Sequence, residues 1–154
     1  MFPLFRKKNN VPTFEIDSPK ISITPDISKI EALLKSTGAE YTVITKGYIT
    51  FRGYVFNSDF PLMIGIHLND LQVKFIEIFR PLEYYQSEKF NISDSFDEFS
   101  SLLKKKYGDP RVTTSKSTND YPCEQWITAD YIINHYIVDR FGPEEHLHIN
   151  FYKN

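Results

Sequence analysis

Four histidines and one cysteine bound the chemistry this chain could perform. Three of the histidines lie between Cys123 and Tyr152, together with the only Trp and the only Cys. His146 and His148 sit two residues apart, a spacing that places both imidazoles on one side of a strand and can chelate a transition metal. A third ligand would have to come from the same face. The neighbouring strand offers Asn134, Tyr136 and Arg140 there, and a cation such as Arg140 opposes metal. The ordinary reading is therefore two solvent-facing imidazoles, with metal-assisted hydrolysis by His146 and His148 as an alternative; no cofactor is expected. A Cys123–His135 dyad would need thiol and imidazole within hydrogen-bond reach, but a two-residue turn at Ala129-Asp130 puts them on opposite faces of a hairpin. His135 falls on the core side, where Glu124 across the strand pair could orient or charge it. Such a pair could act as a general base, though a satisfied buried polar pair is commoner. His67, among Ile64, Ile66 and Leu68, has no legible partner. Glu144-Glu145 reads as a turn, and Asp94, Asp97 and Glu98 as a helix start. With six Gly in all, there is neither a phosphate-cradling loop nor a G-x-S-x-G elbow.

The elements that position these residues follow from patterning. Three antiparallel strands are expected at Cys123–Thr128, Tyr131–Asp139 and His146–Tyr152. A five-residue connection, Phe141–Glu145, would set Arg140 opposite His146. Alternation then gathers Trp126, Ile133, Ile137, Leu147, Ile149 and Phe151 on a core face, leaving Tyr136, His146 and His148 on the other. Upstream, residues 11–23 read as two short extended pieces around Ser18-Pro19. Thr24, Pro25 and Asp26 signal the start of a helix with a stripe of Ile27, Ile30, Leu33 and Leu34, stopped by Gly38. A four-stranded meander follows: Tyr41–Thr45, Tyr48–Phe56, Leu62–Leu68 and Leu71–Phe79, with turns at Lys46-Gly47 and Asn69-Asp70. Glu83–Phe90 allows one helical turn. A second helix is expected from Ser93 or Ser95, with Ser95 and Glu98 as a capping box, a stripe of Phe96, Phe99, Leu102 and Leu103, and a stop at Gly108 before Pro110. Arg111–Lys116 can form a strand, and Thr113–Asp120 is loop-like. The two helical segments align without gaps, Ile23–Lys35 on Ile92–Lys104, which would fit two similar α-then-β halves. The expected class is α+β, with two amphipathic helices packed on antiparallel β meanders.

Composition narrows the function. The chain of 154 residues suits one domain, 1–154, with 1–10 as a flexible tail; 41% hydrophobic and 25% charged residues fit a globular protein. A formal charge of −2 argues against nucleic acid, which calls for a concentrated positive field. The cationic run Lys104–Lys106 suits a helix C-terminus. No apolar run reaches the ~20 residues of a membrane span, and the order of charge and apolar residues at Met1–Asn10 is not that of a secretory signal. A lone cysteine fits a reducing, cytoplasmic setting. With 13 Phe, 10 Tyr and one Trp, aromatics must supply both core and surface.

The opening Met1-Phe2-Pro3-Leu4-Phe5-Arg6-Lys7-Lys8, the run Phe96-x-x-Phe99-x-x-Leu102-Leu103-x-x-x-Tyr107-Gly108-x-Pro110 and the strand bearing Trp126 together resemble small bacterial immunity proteins, which neutralise a cognate toxin by binding it. The similarity covers about a third of the chain and carries over no functional residue. It implies a non-catalytic cytoplasmic inhibitor. The residues themselves add a surface. Tyr48, Arg52 and Tyr54 alternate along one strand face, and Tyr136, Arg140, His146, His148 and Tyr152 share another. If the two adjoin, they form a polar-aromatic patch suited to a protein partner. The expected contacts are Arg52, Tyr54, Tyr136, Arg140 and His148. The alternative to a protein partner is a small-molecule carrier, with an aromatic-lined pocket between helices and a curved sheet.

Overall fold

The computed structural model describes residues 11–26, 29–70, 72–113 and 121–152. The expected N-terminal tail, Ile27 of the first helical stripe, Leu71 and most of the Thr113–Asp120 loop lie outside the described residues. Two strands, Phe14–Ile16 (β1) and Ile21–Ile23 (β2), make an antiparallel hairpin whose connection contains a cis Ser18-Pro19 peptide. Ile30–Ser36 (α1) leads into Tyr41–Thr45 (β3), Tyr48–Gly53 (β4), Leu62–Asn69 (β5) and Gln72–Phe79 (β6). One turn at Leu82–Tyr85 (α2) precedes the long helix Ile92–Tyr107 (α3). Arg111–Thr113 (β7), Cys123–Ile127 (β8), Tyr131–Asp139 (β9) and Pro143–Phe151 (β10) complete the chain.

β3 to β10 form one antiparallel sheet in the order β3-β4-β5-β6-β10-β9-β8-β7. Two meanders are thus joined through their last strands. The expected α+β class is corrected: the described chain is mostly β, with ten strands and three helices of which only α3 is long. The reasons are local and tertiary. Thr24-Pro25-Asp26 does not open a helix, because the Pro25 carbonyl accepts from Val73 N–H and Asp26 accepts from the Gln72 side chain, tying this stretch to the start of β6. α1 therefore begins only at Ile30, without a side-chain cap. α3 starts earlier than expected. Asn91 caps it by accepting from Asp94 N–H at 3.1 Å, and both members of the expected capping box are used elsewhere. Ser95 is buried, and Glu98 pairs with Arg80.

One face of the sheet is the core. Ile49 and Phe51, then Leu62, Ile64 and Ile66, then Ile76 and Ile78, and finally Ile133, Leu147 and Ile149 are all buried there, with Trp126. Phe99 and Leu103 of α3, Ile30 and Leu34 of α1, and the β1–β2 hairpin join the same cluster. The indole N–H of Trp126 donates to Gly108 O at 2.8 Å, fastening β8 to the end of α3. The hairpin is pinned by backbone bonds between Ser18 and Tyr54. Gly53 is required at that contact: a Cβ there would lie 2.5 Å from the Ser18 carbonyl oxygen.

The β8–β9 register is as expected, with Glu124 opposite His135 and Trp126 opposite Ile133. The β9–β10 register is not. Asp139 faces Pro143 across a three-residue connection, and His146 faces Tyr136 rather than Arg140. The slip is four residues, an even number, so every side chain keeps its expected face. Phe151 is half-buried against the core instead of fully interred.

Candidate functional site

Each face of the sheet carries a cluster of imidazole and carboxylate. On the core side His135 is fully buried, its Nδ1 3.3 Å from Glu124 and its Nε2 2.6 Å from Glu145. Phe96 stacks on the ring at 3.9 Å. Ser100 donates to Glu124 at 2.8 Å and Ser95 to Glu145 at 2.5 Å. Ser95 in turn accepts from Arg80 Nε, and Arg80 reaches Glu98 at 2.8 Å. The Arg80 guanidinium, itself buried, lies over the rings of Phe60, Tyr84 and Phe99 at 4.3–4.8 Å. Burial pushes the His135 pKa down, but hydrogen bonds and charge from Glu124 and Glu145 outweigh it and raise the imidazole above its ordinary value. Burial pushes Glu124 up, yet His135 and Ser100 hold it below the usual carboxylate range. Each of the two carboxylates thus has both His135 and a serine hydroxyl as partners. The Glu124–His135 pair was legible in the sequence. Glu145, expected in a turn, is instead a β10 residue whose side chain is 5% exposed. Arg80 was not anticipated at all.

On the opposite face a row of rings crosses the sheet. Tyr48 stacks on His67 at 4.1 Å, His67 on Phe75 at 4.1 Å, and Phe75 lies 4.7 Å from His148. Tyr136 continues the row, 5.9 Å from His148 and 5.3 Å from His146. Glu77 stands inside this row: its Oε2 accepts from the Tyr48 hydroxyl at 3.4 Å and lies 3.2 Å from His67 Nε2. Burial, followed by the Glu77 charge, pushes the Tyr48 phenol up to about 12. Gly65, paired with Glu77, leaves room for Tyr48 to lie across β5; a Cβ there would come 2.8 Å from the Tyr48 ring. Gly65↔Glu77, Ile66↔Ile76 and His67↔Phe75 pair in unbroken register, so alternation puts His67 and Glu77 on the same side.

The ligand atoms of Glu77, His146 and His148 all lie within 4.8 Å of one another. The third donor group near the two histidines lies on β6, on the other flank of β10, rather than on β9. Pairing of β6 with β10 is confined to Ile76↔Ile149 and Glu77↔His148. Beyond it a cavity of about 350 Å³ opens, lined by Tyr48, Phe79, Tyr85, Phe90, Glu77, Glu144 and His146 among others.

Of the contacts expected from sequence, Tyr136 and His148 lie in the ring row. Arg52 is on the same side of β4 as Tyr48, exposed and ion-paired with Glu83. Tyr54 lies past the end of β4, 39% exposed and with its backbone bridged to Ser18. Arg140 is exposed in the β9–β10 connection beside Phe141, which is 99% exposed. The two strand faces expected to adjoin lie on one sheet with β5 and β6 between them, and His67, Phe75 and Glu77 bridge the gap. Cys123 is buried and belongs to the face opposite Glu124 and His135, so thiol and imidazole do not form a dyad.

Glu77, Phe75 and His67 were missed as a group, although a signal existed. Ile64 and Ile66 must share the core with Ile76 and Ile78, so His67 and Glu77 must share the other side. Among the described residues no helix is long and apolar enough to cross a membrane. Searches for similarity agree in finding no relative: no protein-family model, curated protein or solved structure matches this chain.

Proposed function

We propose that this chain is a non-enzymatic binding protein whose working surface is the ring-bearing face of the eight-stranded sheet. The single supporting observation is the continuity of the row Tyr48–His67–Phe75–His148–Tyr136, whose members are half-buried rather than sealed. It spans β4, β5, β6, β10 and β9, about 19 Å at the usual strand spacing of about 4.8 Å. That is too long for one small ligand and fits the scale of a protein interface. Tyrosine is among the side chains that anchor such interfaces, and rigid stacked rings lose little conformational entropy on binding. The partner is a protein, in the manner of an immunity protein occluding a cytoplasmic toxin, with Tyr136 and His148 near the centre of contact and Arg52, Tyr54 and Arg140 towards its margins.

The test begins with cross-linking of the unmodified chain in its native cells to identify the partner, followed by calorimetry with both proteins purified. Tyr136→Ala and Phe75→Ala are each expected to weaken binding by about 2 kcal/mol or more, beyond the loss in stability of about 1 kcal/mol that removing partly exposed ring contacts brings. Phe141→Ala, off the row, serves as the comparison. Equal affinity for Tyr136→Ala, Phe75→Ala and the unmodified chain would remove this face from consideration.

A second reading has its own observation, the aromatic-walled cavity of about 350 Å³ beside α2. Its size is at the lower end for a small-molecule site, and its lining joins Tyr85 of α2 and Ile92 of α3 to Tyr48, Glu77, Phe79 and His146 of the sheet. A rise in unfolding temperature on screening metabolites, abolished by Phe90→Ala, would favour it over the protein partner.

A further inference from the structure

We propose that Glu77, His146 and His148 form a binding site for a divalent first-row transition metal, with zinc as the natural occupant. The inference is separate from the docking surface: it needs only the register of β6 against β10, whichever partner that face takes. His148 is paired directly with Glu77 across the two strands, and His146 lies two residues along on the same side of β10. All three donors are thus held by adjacent backbone in the interior of one sheet. Their ligand atoms already fall within 4.8 Å of one another. Tetrahedral zinc with bonds of about 2.0–2.1 Å needs donors about 3.3 Å apart, a closure that side-chain rotation supplies without moving a strand.

The donor chemistry is selective. Two imidazoles and a carboxylate suit zinc and its first-row neighbours, whereas calcium and magnesium require oxygen donors. Tyr48 and His67 both contact Glu77 through Oε2, fixing the carboxylate as outer partners of metal ligands do. The side chains of Glu77 and His146 are 23% and 27% exposed, which gives an ion an entry path. Glu77 and His146 also line the neighbouring cavity, so one coordination position faces open space. Three protein ligands with a free position describe an exchangeable or exogenous-ligand site rather than a closed structural one.

The test uses the full chain, stripped of metal by chelator and titrated with cobalt(II), then with zinc. The expected result is a visible cobalt absorption band of four- or five-coordinate intensity that saturates at one equivalent and is bleached by zinc. Dialysis against zinc should leave one ion per chain. Glu77→Gln, His146→Gln and His148→Gln should each lose that uptake, while Glu31→Gln, on α1 and outside the set, retains it. Absence of both a cobalt band and retained zinc in the unmodified chain overturns the site, whatever the variants do. Undiminished uptake by Glu77→Gln and His148→Gln overturns it equally.

Discussion

The two faces of the sheet use the same side chains to opposite ends. On the core side His135 is enclosed by Glu124 and Glu145, with Phe96 against its ring, and has no exposure at all. On the ring-bearing side His67 and His146 keep about a quarter of their surface, and Glu77 is shared among neighbours. The first imidazole is locked because each of its nitrogens has a carboxylate and neither can leave without stranding a charge. The second group can exchange partners at small cost, since water is at hand. A histidine beside a glutamate is therefore no sign of function by itself; access decides.

The largest way to break this comparison is His135→Leu, which leaves two buried carboxylates facing each other. Loss of about 3–5 kcal/mol is expected from urea unfolding, against about 1 kcal/mol for His148→Ala, which removes partly exposed ring contacts. Similar losses from the two would erase the distinction.

A pH series sharpens it. His135 is raised above 6.5, so its contribution is complete below pH 6.5 and disappears as pH climbs through its folded value. Glu124 is lowered below 4.5, so its contribution is complete above pH 4.5 and disappears as pH falls through its folded value. From these two groups stability is greatest between pH 4.5 and 6.5. The alkaline decline should be absent from unfolding curves of His135→Leu.

A smaller effect comes from Gly65→Ala. The added methyl would displace the Tyr48 ring from His67, at a cost of about 1 kcal/mol, the lower end for inserting a group into a packed site. Partner affinity should fall further than stability does. Arg52→Ala should be the mildest: its ion pair with Glu83 is more than half exposed on both sides, and no shift in the unfolding midpoint is expected.

Much of this contrast was legible along the chain, for a definite reason. Alternation reports which face a residue takes even when the register is off, as the four-residue slip between β9 and β10 demonstrates. So Trp126, Ile133, Leu147 and Ile149 were placed inside, and Tyr136, His146 and His148 opposite them. Two kinds of information were missing. Strand order is a tertiary property, and nothing local says that β6 and β10, about 70 residues apart, are neighbours; hence Glu77 is not legible in the sequence as a neighbour of the histidine pair. Capping signals also compete with long-range bonds. Thr24-Pro25-Asp26 and Ser95–Glu98 both have the composition of a helix start, and both are claimed by tertiary partners. The first competition shortened α1 to Ile30–Ser36, whereas α3 starts earlier, at Ile92, from the Asn91 cap.

The most direct measurement compares both faces in one sample: a long-range proton–nitrogen NMR spectrum of the imidazoles, recorded at constant pH while zinc is added. The expected result is movement of His146 and His148 to metal-bound nitrogen shifts, with His135 keeping its position throughout. A spectrum in which His135 moves, or in which His146 and His148 stay where they were, would contradict the division between a locked core imidazole and a responsive open face.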